Sequence, residues 1–207
     1  MLATRLPELR HLDVYMERAV EIVPSRPVTD REIRALERRY DVLLFERFAD
    51  GTLLVTPPAG WKSSAKNMEL SGQIWRWVRE GDRGLAMDCS GGVKLPDGSL
   101  FAPDTTFVSR DRWSRADHRR TFAEVVPDAA FELLSSSDTV ASTLRKIAAY
   151  VRNGVRLVVL IDPYRRHVYV AREGDAEARD LGDVDRVDCS PVMPGFVLDV
   201  AAFHEVR

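Results

Sequence analysis

Residues 129–162 read AAFELLSSSDTVASTLRKIAAYVRNGVRLVVLID, and the architecture follows from this stretch. It opens on a short apolar run, AAFELL, passes through a polar connector, continues as a helical segment from about Thr139 to Asn153, and closes on the β-branched run RLVVLID. Gly154 stands where the helix must stop, because a residue with no Cβ enters the left-handed region at little cost. Strand, helix, strand in this order makes a crossover, and such crossovers are right-handed almost without exception. AAFELL and RLVVLID are therefore expected side by side and parallel, with the helix on one face.

The flanking segments extend the sheet. VTDREIRALERRY has Thr29 or Asp30 as N-cap and Ile33, Leu36 and Tyr40 at helical spacing. VLLFERF, the turn ADG and TLLVT read as a hairpin that Pro57, Pro58 and Gly60 terminate. KSSAKNMELSGQIWRWVREG predicts a helix with Met68, Ile74, Trp75 and Val78 at helical intervals and Gly81 as its stop. LAMDCS, GGVKL, the turn PDGS and LFAPDTTFV form a second strand group, followed by a polar arginine-rich loop from Ser109 to Thr121. After RLVVLID, a turn at DPYRR leads to HVYVAR, and VMPGFVLDVAAF adds one more strand or a closing segment. The expected fold class is α/β, a mixed β-sheet flanked by helices. Two prolines in PSRP mark a joint, dividing a helical N-terminal extension over 1–26 from the main domain over 27–207.

At 207 residues, 45% hydrophobic and 30% charged, the chain suits a globular domain with one core. No apolar run approaches the length of a membrane span, and the N-terminus is too charged for a signal peptide, so a cytoplasmic protein is expected. Cys89 and Cys189 lie far apart in apolar or strand-like surroundings and read as buried thiols. A formal charge of -2 provides no general cationic field. Nucleic-acid contact would need a local patch such as Arg110, Arg112, Arg115, Arg119 and Arg120, which otherwise reads as a solvated loop.

The four histidines are scattered, and neither cysteine has a nearby partner, which removes zinc. GxxxxGK[ST], GxGxxG and GxSxG are absent, which removes most support for nucleotide hydrolysis and acyl transfer. What stands out is acids within apolar strands, Asp104 after Pro103 in LFAPDTTFV and Glu132 inside AAFELL, since burying a carboxylate is costly unless it is paired or bound to a metal. On chemistry alone, Asp104 reads more readily as a strand-end turn acid and Glu132 as an ion-paired acid on a half-exposed strand. Ser137 or Asp138 suits the N-cap of the following helix better than catalysis. Trp61, Trp75, Trp77 and Trp113 read as packing residues.

The ordered set ADGTLLVTPP, LPDGSLFAPDTTFV, FELLSSSD and RKIAAYVRNGVRLVVLIDP resembles the Uma2 family of bacterial restriction-endonuclease-like proteins, from about Pro27 to Phe203. LSSSD and KIAAYVRNGV are its most telling parts. The resemblance implies a PD-(D/E)XK nuclease fold in which Asp104 and Glu132, with the Leu133 carbonyl, would hold Mg²⁺ or Mn²⁺. Lys146 would be the catalytic lysine, moved from the position two residues after the acid, where Leu134 stands, to the following helix. Such an ion would polarise a phosphodiester and lower the pKa of a bound water.

Some positions depart from the family pattern. Thr52 stands where many relatives carry a Glu after the DG turn, with Glu46 as the nearest acid, and Ser63 and Ser64 stand near a His position. On an ideal helix, Val140, Leu144, Ile147 and Val151 form the apolar stripe and Lys146 lies roughly 145° from its centre, on a flank shared with Tyr150. The functional expectation is a Mg-dependent DNA endonuclease working as a homodimer, with no membrane association. The alternatives are a catalytically impaired nuclease-fold module for nucleic-acid or protein binding, and a structural subunit dimerising through its N-terminal arm.

Overall fold

Alternation along the strands and a single crossover place nearly every element of the fold. The computed structural model describes residues 16–117, 122, 124–136 and 138–204. The chain runs β1 (Val20–Ile22), α1 (Asp30–Arg39), β2 (Leu44–Arg47), β3 (Leu53–Thr56), α2 (Trp61–Glu80), β4 (Gly84–Asp88), β5 (Val93–Lys94), β6 (Leu100–Phe101) and β7 (Thr105–Ser109). It continues through α3 (Arg110–Ser114), β8 (Ala129–Leu133), α4 (Val140–Arg152), β9 (Leu157–Asp162), β10 (His167–Arg172), β11 (Arg179–Asp180), β12 (Arg186–Asp188) and β13 (Val197–Asp199), with a 3₁₀ turn at Ala201–Phe203.

The larger sheet has the order β11-β10-β9-β8-β7-β4, and a second has the order β1-β3-β2-β6-β5. The crossover is as expected: β8 and β9 are parallel, with Glu132 opposite Leu160, and the neighbouring pairs are antiparallel. This is the mixed α/β architecture with flanking helices that the strand pattern implies.

Two-residue periodicity distributes the core. Ala129, Phe131 and Leu133 of β8 and Leu157, Val159 and Ile161 of β9 pack with Leu70, Ile74, Trp77 and Val78 of α2. The opposite face presents Ala130, Val158 and Leu160 to Ile147, Ala149 and Tyr150 of α4, and the same cluster takes in Phe48, Leu54 and Phe101 of the smaller sheet region. α4 is thus covered from two sides. α1 closes the far face of the smaller sheet through Ile33 and Leu36, and Thr29 and Glu32 form a capping box at its start.

Several local expectations change. LFAPDTTFV is not one strand, because the chain leaves β6 in one sheet and enters β7 in the other, and the break contains Pro103, which has no N–H for a ladder. Met68 and Trp75 are exposed. They lie about 100–120° round α2 from Ile74, outside the face that meets the sheet, and Trp61 is exposed as well. Of the helical extension expected over 1–26, residues 1–15 lie outside the described residues, and Val20–Ile22 form a strand paired with β3. Cys89 is exposed, whereas Cys189 is buried. The N-cap of α4 is Thr139. Asp138 instead accepts the Ser135 N–H and hydroxyl at 2.8 and 2.7 Å, and Ser137 lies outside the described residues.

Candidate functional site

The alternation that buries Phe131 against α2 turns Glu132 to the other face of the sheet, beneath α4. There Lys146 reaches it, Nζ to Oε1 at 2.8 Å, and the Tyr150 hydroxyl donates to the same oxygen at 2.8 Å. Lys146 and Tyr150 are one helical turn apart and so present together. Lys146 also meets Glu46 Oε1 at 2.8 Å, and that oxygen accepts the Ala102 N–H at 2.8 Å. Glu46 arrives from β2 of the smaller sheet, so the ammonium bridges the two sheets.

Asp104 stands where the chain changes sheets. Its Oδ2 accepts the Leu133 N–H at 2.8 Å and its Oδ1 accepts the Asn67 Nδ2–H at 3.0 Å. Glu46, Asp104, Glu132, Leu133 and Lys146 line one pocket of about 250 Å³, with Ser63 and Asn67 of α2 at its wall. The structure therefore brings together Asp104, Glu132 and Lys146.

Lys146 is 5% exposed, so the flank assigned to it from the apolar stripe is corrected. The buried arc of α4 contains Thr143, Lys146, Ile147, Ala149 and Tyr150, while Val140, Leu144 and Val151 are partly buried at its side. A stripe of apolar residues marks the buried face only when one apolar layer covers a helix. Here the smaller sheet supplies a second cover, and that cover contains Glu46.

Burial and like charge disfavour ionisation of the Asp104 and Glu132 carboxyls. Burial raises the Glu132 carboxyl to about 8; the Lys146 ammonium pulls it down, and Asp104 and Glu46 push it up. Burial likewise raises Asp104 to about 6, opposed by the Leu133 N–H and by Lys146. Burial disfavours the charge on Lys146, but Glu132 and Glu46 override it and hold the ammonium above the ordinary lysine range. Burial and the neighbouring acids keep the Tyr150 phenol protonated, as a donor.

The family model described as "Putative restriction endonuclease", Uma2, matches residues 31–201. The chain belongs to the Uma2 family. A crystal structure described as a "putative nuclease belonging to DUF820 from Anabaena variabilis ATCC 29413" superposes with a TM-score of 0.67 at 20% identity, covering 78% of this chain and 90% of that one. No curated protein matches the chain.

Glu46 is the acid this Uma2 chain brings into the pocket while Thr52 follows the DG turn. Thr52 is buried and donates its N–H to Asp50 Oδ1 at 3.0 Å. Glu46 shares its strand face with Phe48, whose ring joins the α4 cluster, but alternation alone does not say which of the two faces of the strand meets α4. Asn67 carries no comparable signal, because its approach to Asp104 depends on how α2 lies across the sheet.

The fit to a divalent cation is mixed. Carboxylate and carbonyl oxygens suit a hard ion, and Asn67 Oδ1 is buried with no hydrogen-bond partner. Both contacts on Glu132 fall on Oε1, which leaves Oε2 open, yet Glu46 is turned to Ala102 and Lys146, and among the described residues no group of three or more His, Cys, Asp or Glu is arranged to hold a metal.

The arginine-rich segment, expected as a loop, opens instead as α3 with Ser109 as its N-cap, and it stands apart from the pocket. Arg110 pairs with Asp82, Arg112 with Asp128 and Arg115 with Asp111, so these charges are spoken for. Arg112 also holds the carbonyls of Val126 and Pro127, at the end of β8 opposite Glu132. Arg119 and Arg120 lie outside the described residues. Among the described residues no helix is long and apolar enough to cross a membrane.

Proposed function

We propose that this chain is a nuclease-fold module that engages nucleic acid, and that its acid pocket is catalytically quiet because its own lysine supplies the cation. The observation that carries this reading is the Lys146 ammonium at 2.8 Å from both Glu46 and Glu132. A divalent ion entering the pocket would have to share Glu132 with Lys146 and, at neutral pH, displace the proton that burial holds on Glu132 up to about 8. Its affinity at neutral pH is correspondingly weak, and rises as pH rises. A homodimer belongs to the same reading, because two copies can join their local basic patches into one groove although each chain has a net charge of -2. Sedimentation at several concentrations tests it, and a monomer throughout removes it.

The second reading is metal-dependent hydrolysis of DNA phosphodiester bonds. The unpartnered Asn67 Oδ1 beside Asp104 favours it, as an oxygen with nothing to bind in the chain itself. Asp104, Glu132 and the Leu133 carbonyl would hold Mg²⁺ or Mn²⁺, which supplies Lewis-acid polarisation of the phosphoryl group and an ionised water. Lys146 and Tyr150 would together orient Glu132 through its Oε1.

Two measurements separate the readings. Calorimetric titration of Mg²⁺ and Mn²⁺ at pH 7 and 8.5 is expected to give weak binding that strengthens at the higher pH. Incubation with plasmid and single-stranded DNA is expected to leave both intact. Mg-dependent cleavage that Asp104→Ala abolishes would overturn the first reading and establish the second; loss in Lys146→Ala as well would assign the lysine its part.

A further inference from the structure

The larger sheet ends differently at its two edges. β11 is two residues long, Arg179–Asp180, and both are exposed, so a short charged strand blunts that side. β4 at the other edge has five residues, GLAMD, with no lysine and no proline, and among the described residues no strand pairs with its outer side. The Arg110 N–H donates to the Arg83 carbonyl at 3.0 Å, and Gly84 stands opposite Ser109 and Leu85 opposite Val108. Ladder bonds alternate along an antiparallel pair. Leu85 and Met87 therefore turn their backbone groups to β7, while Gly84 and Ala86 turn theirs outward.

The helix beside this edge is equally uncovered. Met68 and Trp75 of α2 are 73% and 58% exposed. With Ala86 and Met87 of β4 they line a groove of about 750 Å³. An extended strand laid along β4 would supply the missing ladder and cover both side chains.

The charges at the two ends of the edge select the occupant. α2 reverses into β4 through residues 81–83, so Arg79 in its last turn lies at the Gly84 end. Asp88 lies at the other end, on the strand face of Ala86, which packs on the α2 side. Arg79 stands 6.0 Å from the Trp75 ring and Asp88 accepts the Ser90 N–H at 3.0 Å; neither has an ion-pair partner among the described residues. An antiparallel copy of the same strand, with Ala86 opposite Ala86, sets Gly84 opposite Asp88 on both sides and so brings an Arg79 toward each Asp88. A two-fold axis through the Ala86 pair, perpendicular to the sheet, closes this contact. The axis keeps both α2 helices on one face, where Met68 and Trp75 of each meet those of the other.

We infer that β4 pairs antiparallel with β4 of a second copy of this chain, joining two larger sheets into one. This rests on the homodimer of the proposed function and names its interface. The groove shares Asn67, Cys89, Ser90 and Asp104 with the acid pocket, so the contact reaches the mouth of that pocket in both copies.

The test is sedimentation velocity of the full chain over a range of concentrations, with hydrogen exchange of the β4 amides in the same samples. Wild type is expected to dimerise, and the Ala86 amide to become protected as the dimer forms. Trp75→Glu is expected to weaken association at least ~10-fold, with a native far-UV circular dichroism spectrum because Trp75 is exposed. Asp88→Arg is expected to weaken it about 5-fold or more, and Arg79→Asp added to it to restore association. A dimer that survives Trp75→Glu, or that leaves Ala86 unprotected, lies elsewhere on the surface and overturns the inference while leaving the homodimer in place. Asp88→Arg that associates as wild type does, or that Arg79→Asp fails to restore, overturns it equally. A monomer at every concentration overturns both the inference and the homodimer, and Ala86 protected in that monomer would assign the edge to another segment of the chain itself.

Discussion

Lys146 holds together two acids, and among the described residues that line the pocket there is no other cation for them to meet. Replacing it by Met leaves Glu46 and Glu132 buried against an apolar side chain, and removing one partner from a buried ion pair costs about 3–5 kcal/mol. Urea unfolding of Lys146→Met at pH 8 is expected to show a loss of that order. Tyr150→Phe removes only the hydroxyl on Glu132 and should cost about 1–2 kcal/mol in the same assay. The two carboxyls also set a pH dependence. Asp104 at about 6 and Glu132 at about 8 stand above their ordinary values of 3.8 and 4.5. The folded chain therefore binds more protons than the unfolded chain between these limits, and stability falls as pH rises through them. Differential scanning calorimetry should give a higher melting temperature at pH 5 than at pH 8.5, and the double substitution Asp104→Asn, Glu132→Gln should flatten that slope. A melting temperature that rises over this range would show the acids to be ionised and well paired.

β4 borders the larger sheet on the side where α2 crosses, and it begins at a glycine for a steric reason. Gly84 has φ +143, and a Cβ there would run into the Val108 carbonyl of β7. Gly84→Ala should destabilise the chain by about 2 kcal/mol or more in thermal unfolding, through strain and loss of the β4–β7 ladder. Gly72 in α2 has open space where its Cβ would go, so Gly72→Ala should instead stabilise by about 0.5–1 kcal/mol. α4 teaches a related lesson about reading helices. Its apolar residues suggest one buried face, but the residues that pack most completely include a threonine, a lysine and a tyrosine. An element enclosed between two layers need not bury its most hydrophobic stripe, because polar side chains that find partners can occupy the second face.

Across the whole molecule the pocket lies at a seam. Phe101 of β6 packs edge-on against Phe48 at 5.2 Å and against Tyr150 at 5.3 Å, joining the smaller sheet to α4. Phe101→Ala should cost about 3–5 kcal/mol in urea unfolding. Because Lys146 lies 5.7 Å from the same ring, this substitution should also wet the pocket and bring the titration of Glu132, followed by NMR, down from about 8. The ordering of elements was legible along the chain because local periodicity, turn residues and the βαβ rule act over a few tens of residues. That level of reading placed β8, α4 and β9 correctly, paired Glu132 with Asp104 as candidates, and found the family through four ordered motifs. It misjudged Lys146 and could not decide the face of Glu46, since both depend on how the smaller sheet docks on α4. Docking of that kind joins residues distant in sequence through shape and charge, for which no local period exists. Residues 129–162 therefore dictated the fold, while the packing of one sheet against the other turned separate acids and a lysine into a pocket.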